Sequence, residues 1–377
     1  MKIGIVCYPT FGGSGVVATE LGIALAKKGH EVHFITYSQP VRLDGFSERI
    51  FYHEVAVSNY PLFDFQPYEL VLSSKLVDVA KHEKLDLLHV HYAIPHASAA
   101  YMAKQILASQ GIHIPYITTL HGTDITLLGR DPSFEPVITF AINQSDAVTA
   151  VSESLKQDTY RHFGVTREIQ VIPNFINIEE YSEEKCGCSR TMYAPNGEKI
   201  MIHVSNFRKV KRVEDVLRVF DKVRKVIPTK LILVGDGPER TAVEKLCREL
   251  DTCNDIRSLG KVTNPEQILS IADLFILPSE TESFGLAALE AMAAHLPVIS
   301  TNTGGLPEVN IQGVTGFLSN VGDVDDMAKN TLHILSDEKV LAVFKKNAYE
   351  QARKFDVPKI LPLYEKLYMS LLKKELA

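Results

Sequence analysis

Two glutamates, Glu282 and Glu290, stand eight residues apart in the segment Pro278-Ser279-Glu280-Thr281-Glu282-Ser283-Phe284-Gly285-Leu286-Ala287-Ala288-Leu289-Glu290. A helix starting near Phe284 would carry Glu290 two turns in, and helical rise would then separate the carboxylates by roughly 12 Å. That is too far for the acid and nucleophile of a glycosidase, which sit roughly 5–10 Å apart. It suits two carboxylates that accept hydrogen bonds from hydroxyls at opposite ends of a nucleotide sugar. The helix start between them would offer N–H groups to the diphosphate. Glu290 interrupts an otherwise apolar helix, 286–294, which is therefore expected to be buried, and a buried carboxylate needs partners. The plainer alternative is a solvated helix with one acid in its first turn and one on its polar face.

A second chemical signal is the cation cluster Arg208, Lys209, Lys211 and Arg212, which follows the apolar run 199–204. Fixed guanidinium and ammonium groups can neutralise the charge of a leaving diphosphate without a metal. Cations are unfavourable at a helix start unless an anion binds there, which argues against a merely solvated face. Four exceed the need of one diphosphate, so the surplus suits an anionic second substrate. Near the N-terminus, Phe11-Gly12-Gly13-Ser14-Gly15 follows a strand candidate and opens a helix, so its amides can approach phosphate or carboxylate. The residues 13–18 also fit the loose dinucleotide pattern G-x-G-x-x-A. However, the second strand candidate ends Thr36-Tyr37-Ser38-Gln39, without the acid that would hold a ribose, and no Gly-Lys-Ser/Thr is present. Neither NAD nor an ATP-type phosphate loop is expected.

Histidines supply a third group. His121 closes a strand candidate just ahead of Gly122, a frequent position for active-site residues. His89 and His91 alternate onto one side of another strand, which makes a metal pair conceivable. No carboxylate pattern accompanies them, so they read as hydrogen-bonded strand-end residues, with His91 and Tyr92 facing the second substrate. No metal and no organic cofactor are expected.

Groups so scattered in sequence need a scaffold that gathers strand ends. Strand candidates 2–8, 31–37, 86–91, 115–120, 146–151 and 169–172 alternate with helical runs such as 16–28 and 97–109, the mark of a parallel α/β sheet. Pro173-Asn174-Phe175-Ile176-Asn177 and the polar stretch 179–198, with Gly187, Pro195 and Gly197, break this rhythm. A second series then begins, with strands 199–204, 230–234, 256–259, 274–277 and 297–300, helices 239–250 and 286–295, and terminal helices 324–335, 338–354 and 358–376. The expected fold is α/β: two Rossmann-like doubly wound domains, 1–173 and 174–357, facing a central cleft.

Bulk properties narrow the function. The 377 residues suit two domains, and the net charge of −6 without a basic arm argues against nucleic acid. No apolar run reaches the roughly 20 residues that span a bilayer. Helix 66–84, whose cations are Lys75, Lys81 and Lys84, reads as a domain helix rather than a membrane anchor. The opening Met1-Lys2-Ile3-Gly4-Ile5-Val6-Cys7 reads as a first strand, not a signal peptide. Five scattered cysteines, of which Cys186 and Cys188 form the one close pair, read as reduced thiols of a cytoplasmic protein.

The E-x7-E pattern after a strand and leading an Ala-rich helix is similar to the signature of the family 4 retaining glycosyltransferases, which have the GT-B fold. Further pieces match in order: Gly12-Gly13-Ser14-Gly15, Leu120-His121-Gly122-Thr123-Asp124, Ile172-Pro173-Asn174, Val234-Gly235-Asp236-Gly237-Pro238 and Thr303-Gly304-Gly305-Leu306-Pro307-Glu308. The resemblance spans essentially the whole chain. Residues 7–20 and 204–212 resemble one branch, whose members move N-acetylglucosamine from UDP-GlcNAc to L-malate in bacillithiol biosynthesis.

That resemblance implies that Glu290 holds the ribose and Glu282 the transferred sugar, helped by the amides of Ser283, Phe284 and Gly285, with Leu286 beside them. It implies Lys211 on the diphosphate, His121 near the reacting carbon, and Lys261 and Val262 at the uracil. Gly13, Ser14 and Gly15 would also face the donor, while Tyr92, Thr119, Asn206 and Arg208 would face the acceptor. It further implies a last helix, 358–377, that rejoins the first domain, a homodimer, and same-face attack that retains configuration. One departure stands out: the family's usual Arg five residues before the diphosphate Lys is Asn206 here, and Arg208 is the candidate substitute. Inositol phosphate, a lipid head group or a glycan stays open as acceptor, as does a non-catalytic sugar-nucleotide-binding role.

Overall fold

The computed structural model describes the chain except residues 11, 44–46, 58–65, 128, 130, 182–188 and 376–377. Phe11 of the glycine-rich turn, Cys186, Gly187 and Cys188, and the end of the 358–376 run thus lie outside the described residues. The chain divides into two compact units: Met1–Asn174 together with the C-terminal helix Val357–Glu375, and Phe175–Asp356.

The first unit is built on seven parallel strands: β1 Lys2–Val6, β2 Glu31–Thr36, β3 Ile50–Glu54, β4 Leu87–His91, β5 Tyr116–Leu120, β6 Ala147–Ala150 and β7 Ile169–Val171. They lie in the order β3-β2-β1-β4-β5-β6-β7. The second unit holds six: β8 Lys199–Val204, β9 Thr229–Val234, β10 Ile256–Gly260, β11 Leu274–Leu277, β12 Val298–Thr301 and β13 Gly316–Ser319, in the order β10-β9-β8-β11-β12-β13. Both are doubly wound Rossmann-like sheets. Each reverses its winding once, between β1 and β4 and between β8 and β11. Central strands such as β4 and β5 are buried on both faces, as parallel sheets covered by helices must be.

Two strands differ from expectation. β3, Ile-Phe-Tyr-His-Glu, is a partly exposed edge strand with no clean two-residue alternation. β13 has only four residues and begins at Gly316, where a Cβ would stand 1.8 Å from the Val298 carbonyl oxygen. Cys247 and Cys253 are joined in a disulfide rather than free. The turn after helix Arg240–Glu249 folds the Thr252 amide back onto the Cys247 carbonyl at 2.9 Å and brings the two Cα atoms to 5.1 Å, within bridging distance.

Helix Val357–Glu375 is anchored in the first unit by buried polar contacts. Tyr364 and Tyr368 are fully buried, and Tyr368 shares a 2.8 Å hydrogen bond with His89 Nδ1. His89 Nε2 lies 2.7 Å from Thr119 Oγ1, which lies 2.7 Å from Thr149 Oγ1. His30 adds a 3.0 Å contact with Glu365.

Candidate active site

In open α/β sheets, ligands bind beyond the carboxyl ends of strands where the winding reverses. In the second unit that point lies between β8 and β11. β8 feeds Ser205 to Arg212, and β11 feeds Pro278 to Gly285. The two segments meet: the Lys211 ammonium donates to Glu282 Oε1, and the Ser279 hydroxyl donates to the same oxygen at 2.9 Å. The Glu280 amide donates to the Val210 carbonyl at 2.7 Å, which ties the backbones together. Lys211 and Glu282 keep part of their side-chain surface accessible, 20% and 14%. They can therefore exchange this mutual contact for a ligand.

Glycines hold the neighbouring loop in place. The Gly305 amide donates to the Glu282 carbonyl at 2.9 Å. At Gly304, with φ +56°, a Cβ would stand 1.9 Å from that carbonyl oxygen, and at Gly305 one would stand 2.4 Å from the Ser283 oxygen. The loop after β12 thus lies directly on the Glu282–Phe284 backbone. Gly235, with φ +121°, packs in the same way on the Ser205 carbonyl.

Several expected placements shift. The helix bearing Glu290 spans Leu286–Ala293, with Gly285 at φ +94° just ahead of it. Glu282 therefore lies outside the helix, so helical rise does not measure its separation from Glu290. Glu290 is half-buried rather than enclosed. The Phe284 side chain is buried and packs edge-on against Phe355 with centroids 5.6 Å apart. Arg212 is at φ +48°, and its Nε donates to Asp215 at 2.6 Å, so that guanidinium is already engaged. Arg208 and Lys209 are exposed, as is Asn206. Lys261 is exposed and Val262 half-buried just after β10, where Gly260 turns the chain at φ +66°.

The first unit gathers its own group at the β1/β4 reversal. Ser14 Oγ accepts from the Tyr92 hydroxyl at 2.8 Å, across that point. Gly13 is exposed and Ser14 half-buried. Gly15 is buried, its amide donates to the Gly12 carbonyl at 3.0 Å, and a Cβ there would stand 2.5 Å from the Tyr8 and Thr10 carbonyl oxygens. Gly15 therefore packs the helix start against the Tyr8–Thr10 segment that follows β1, with its amide already bonded to Gly12. Thr119 is fully buried and its hydroxyl is engaged by His89 and Thr149, so it supports the interior.

His121 follows β5, and its Nε2 lies 2.8 Å from His91 Nδ1. One of these nitrogens carries the proton. The His121 ring lies 5.3 Å from that of Tyr92. His96 Nδ1 bonds the His91 carbonyl, which closes the cluster. Burial lowers the pKa of His121 and His89 to about 3 and of His96 to about 4, and pushes His91 well below the usual range. All four rings are neutral at neutral pH. Sequence reasoning gave no role to Asp124, which is fully buried and accepts from the Ala93 amide at 2.8 Å and the Gly122 amide at 3.2 Å. It fixes the turns that carry Tyr92 and His121. An acid two residues after a strand-end glycine was the available signal. Ser279 carries no local signal in the sequence, since its role lies in its hydrogen bond to Glu282.

Neutral buried histidines make stability depend on pH. Their folded pKa values lie below the unfolded value, so their contribution is complete above about pH 6.5 and is lost as pH falls towards 3–4. Asp124, raised to about 6 by burial, acts in the opposite sense, but as one group against four. The melting temperature is expected to fall steadily from pH 6.5 to 4.5. A flat or rising Tm over that window, measured by calorimetry, would contradict neutral burial of these rings.

Both units thus place polar groups beyond the carboxyl ends of the strands, the second unit with a cation and a carboxylate in contact. Comparison with known proteins fits this geometry. Residues 11–180 match the family described as Glycosyltransferase Family 4, and residues 191–351 match Glycosyl transferases group 1. Sucrose-phosphate synthase from Thermosynechococcus elongatus superimposes with a TM-score of 0.81 at 21% identity, covering 99% of this chain and 100% of that one. Anabaena HepE, in a structure with UDP-glucose, gives 0.81 at 21% identity, covering 98% and 100%. The fold is GT-B, and the chain belongs to the family 4 and group 1 glycosyltransferases.

Within that family, the chain is 47% identical to N-acetyl-alpha-D-glucosaminyl L-malate synthase of Bacillus anthracis, over 100% of this chain and 98% of that protein. An uncharacterized glycosyltransferase of Methanocaldococcus jannaschii is 28% identical, over 93% of this chain and 94% of its own.

Proposed function

We propose that this chain transfers N-acetylglucosamine from UDP-GlcNAc to the hydroxyl of L-malate, with retention of configuration and release of UDP. The observation that carries this is the Lys211–Glu282 contact across the β8/β11 reversal, in a chain 47% identical to a relative named for that product. Glu282 would exchange its lysine for a sugar hydroxyl, and Lys211 would turn to the diphosphate. Glu290 would take the ribose, while the amides of Ser283, Phe284 and Gly285, beside Leu286, would line the donor. The backbone of Lys261 and Val262 would receive the uracil, and Gly13 and Ser14 the donor's anionic part.

The bond between the sugar's anomeric carbon and the phosphate oxygen breaks as the malate hydroxyl attacks that carbon from the same face. The hydroxyl proton passes to the departing phosphate oxygen, so no carboxylate nucleophile is required. Lys211 and Arg208 would absorb the charge that develops there. His121, held neutral, donates or accepts a hydrogen bond at the sugar without adding charge. Asn206, Arg208 and Tyr92 are assigned to malate, whose two carboxylates suit the spare cations. Both substrates are water-soluble anions, which supports a cytoplasmic setting, and no described helix is long and apolar enough to cross a membrane. The chain would act as a homodimer, as the family resemblance implies.

The test is an acceptor panel with UDP-GlcNAc, read by mass spectrometry. Malate is expected to be preferred over inositol phosphate and lipid head groups, and to exceed neutral glycans by about 100-fold or more in kcat/KM, because a site built for two carboxylates leaves its cations without partners on a neutral acceptor. Preference for another acceptor would overturn the malate assignment. Donor binding without turnover on any acceptor would overturn catalysis itself.

A further inference from the structure

On the face of the first sheet that carries His33 and His53, a cluster of polar groups lies at the β2–β3 edge, apart from the β1/β4 reversal. His33 on β2 and His53 on β3 share a face, because His33 pairs in register with Phe51 and Ile35 with His53. His33 Nδ1 lies 2.9 Å from His53 Nε2, and the two rings stack with centroids 5.2 Å apart. Phe51 covers the His33 ring at 4.8 Å. Glu83 ends the helix Tyr68–Glu83, and its carboxylate and one nitrogen of each ring all lie within 4.8 Å of one another. His33 Nε2, on the other side of the ring, lies 3.2 Å from Glu31 Oε1, and Glu31 in turn pairs with Lys2 at 2.6 Å. Lys75 and Asp78 act on His53 through space.

We propose that His33 Nδ1, His53 Nε2 and a Glu83 oxygen form a binding site for zinc or a similar divalent transition metal, with Glu31 orienting His33 from behind. The donor set is two imidazoles and one carboxylate, a combination that zinc favours. The hydrogen bond from His33 Nε2–H to Glu31 leaves the Nδ1 lone pair pointing at the cluster. A carboxylate behind the ring is the usual support of a metal-binding histidine. Burial of His33 favours the neutral ring that a metal needs. Zinc–nitrogen bonds of about 2.0–2.1 Å in a tetrahedral site separate two nitrogens by roughly 3.3 Å, so the present 2.9 Å contact must open only slightly. His53 moves its proton to Nδ1 as Nε2 takes the metal, and Glu83 supplies a negative charge to the ion, while the charge of Glu31 is offset by Lys2.

Glu83 ends a helix that precedes β4 and His33 is early in β2, while His53 is the fourth of five residues in β3, so the cluster spans the sheet face at its β2–β3 edge, away from the β1/β4 reversal. The ion would therefore fasten the edge strand β3 to the adjoining helix, rather than take part in transfer. The test uses the full chain stripped with chelator and titrated with Zn2+ by calorimetry, and with Co2+ by visible absorption. One ion per chain, intense tetrahedral Co2+ bands and a zinc-dependent rise in Tm are expected. His53→Gln and Glu83→Gln, both at partly exposed positions, should each weaken Zn2+ binding by more than about 10-fold, and Glu31→Gln by about 10-fold or more. No binding by the wild-type chain, or binding that both His53→Gln and Glu83→Gln leave unchanged, overturns the site.

Discussion

Lys211→Ala is expected to lower kcat by about 100- to 1,000-fold while leaving the KM for malate nearly unchanged. Its ammonium lies at the β8/β11 reversal in contact with Glu282, beside the exposed Arg208 and Lys209. A fixed cation at the leaving diphosphate acts most strongly when charge has developed, and removal of one such group typically costs this much. Loss confined to the donor KM would mean that Lys211 binds the ground state and transition state equally, which would remove it from the chemistry. Because Lys211 and Glu282 share a bond, their effects should not multiply. The double variant Lys211→Ala with Glu282→Gln should fall well short of the product of the two single losses. Steady-state kinetics on the four proteins decides this, and strict multiplicativity would show that the two residues act independently.

Gly304→Ala is expected to lower kcat/KM by about 100-fold, with a fall in Tm of about 5 °C. The residue sits at φ +56°, which costs an L side chain about 1–2 kcal/mol, and its new methyl would meet the Glu282 carbonyl oxygen at 1.9 Å. Backbone cannot step aside without carrying the Glu282 side chain with it, and a displacement of about 1 Å in a catalytic group can cost this factor. Gly313→Ala is the control. It also has positive φ, +70°, but nothing lies within 4 Å of its methyl. It should lose the stability that the backbone conformation alone costs and retain activity within about 10-fold. Equal activity of the two variants would show that the loop after β12 does not position Glu282.

The doubly wound α/β fold and the family were legible because glycine turns, apolar strands and the E-x7-E pattern are local signals. What escaped was set by contacts distant in sequence. β3 is held by pairing with β2, not by its own alternation, and β13 by a glycine whose need appears only against Val298. The Lys211–Glu282 contact joins residues 71 apart, so the spacing of Glu282 and Glu290 suggested a helical ruler that Gly285 interrupts. Thr119 looked available because strand ends usually are, yet its hydroxyl is enclosed between His89 and Thr149. Arg212 had the right charge, but Asp215, one turn along the following helix, already holds it.

The anchoring of helix Val357–Glu375 has a consequence for biogenesis. Its Tyr368 completes the polar chain through His89 and Thr119 to Thr149, beneath the sheet that is synthesised first. On the ribosome, Met1–Asn174 must wait through all of Phe175–Asp356 before its last buried partner emerges. A nascent chain halted before Val357 would expose the apolar wall that this helix covers and leave His89 without one hydrogen-bond partner. The half born earliest is therefore the half finished latest, and chaperone demand during translation should fall on it.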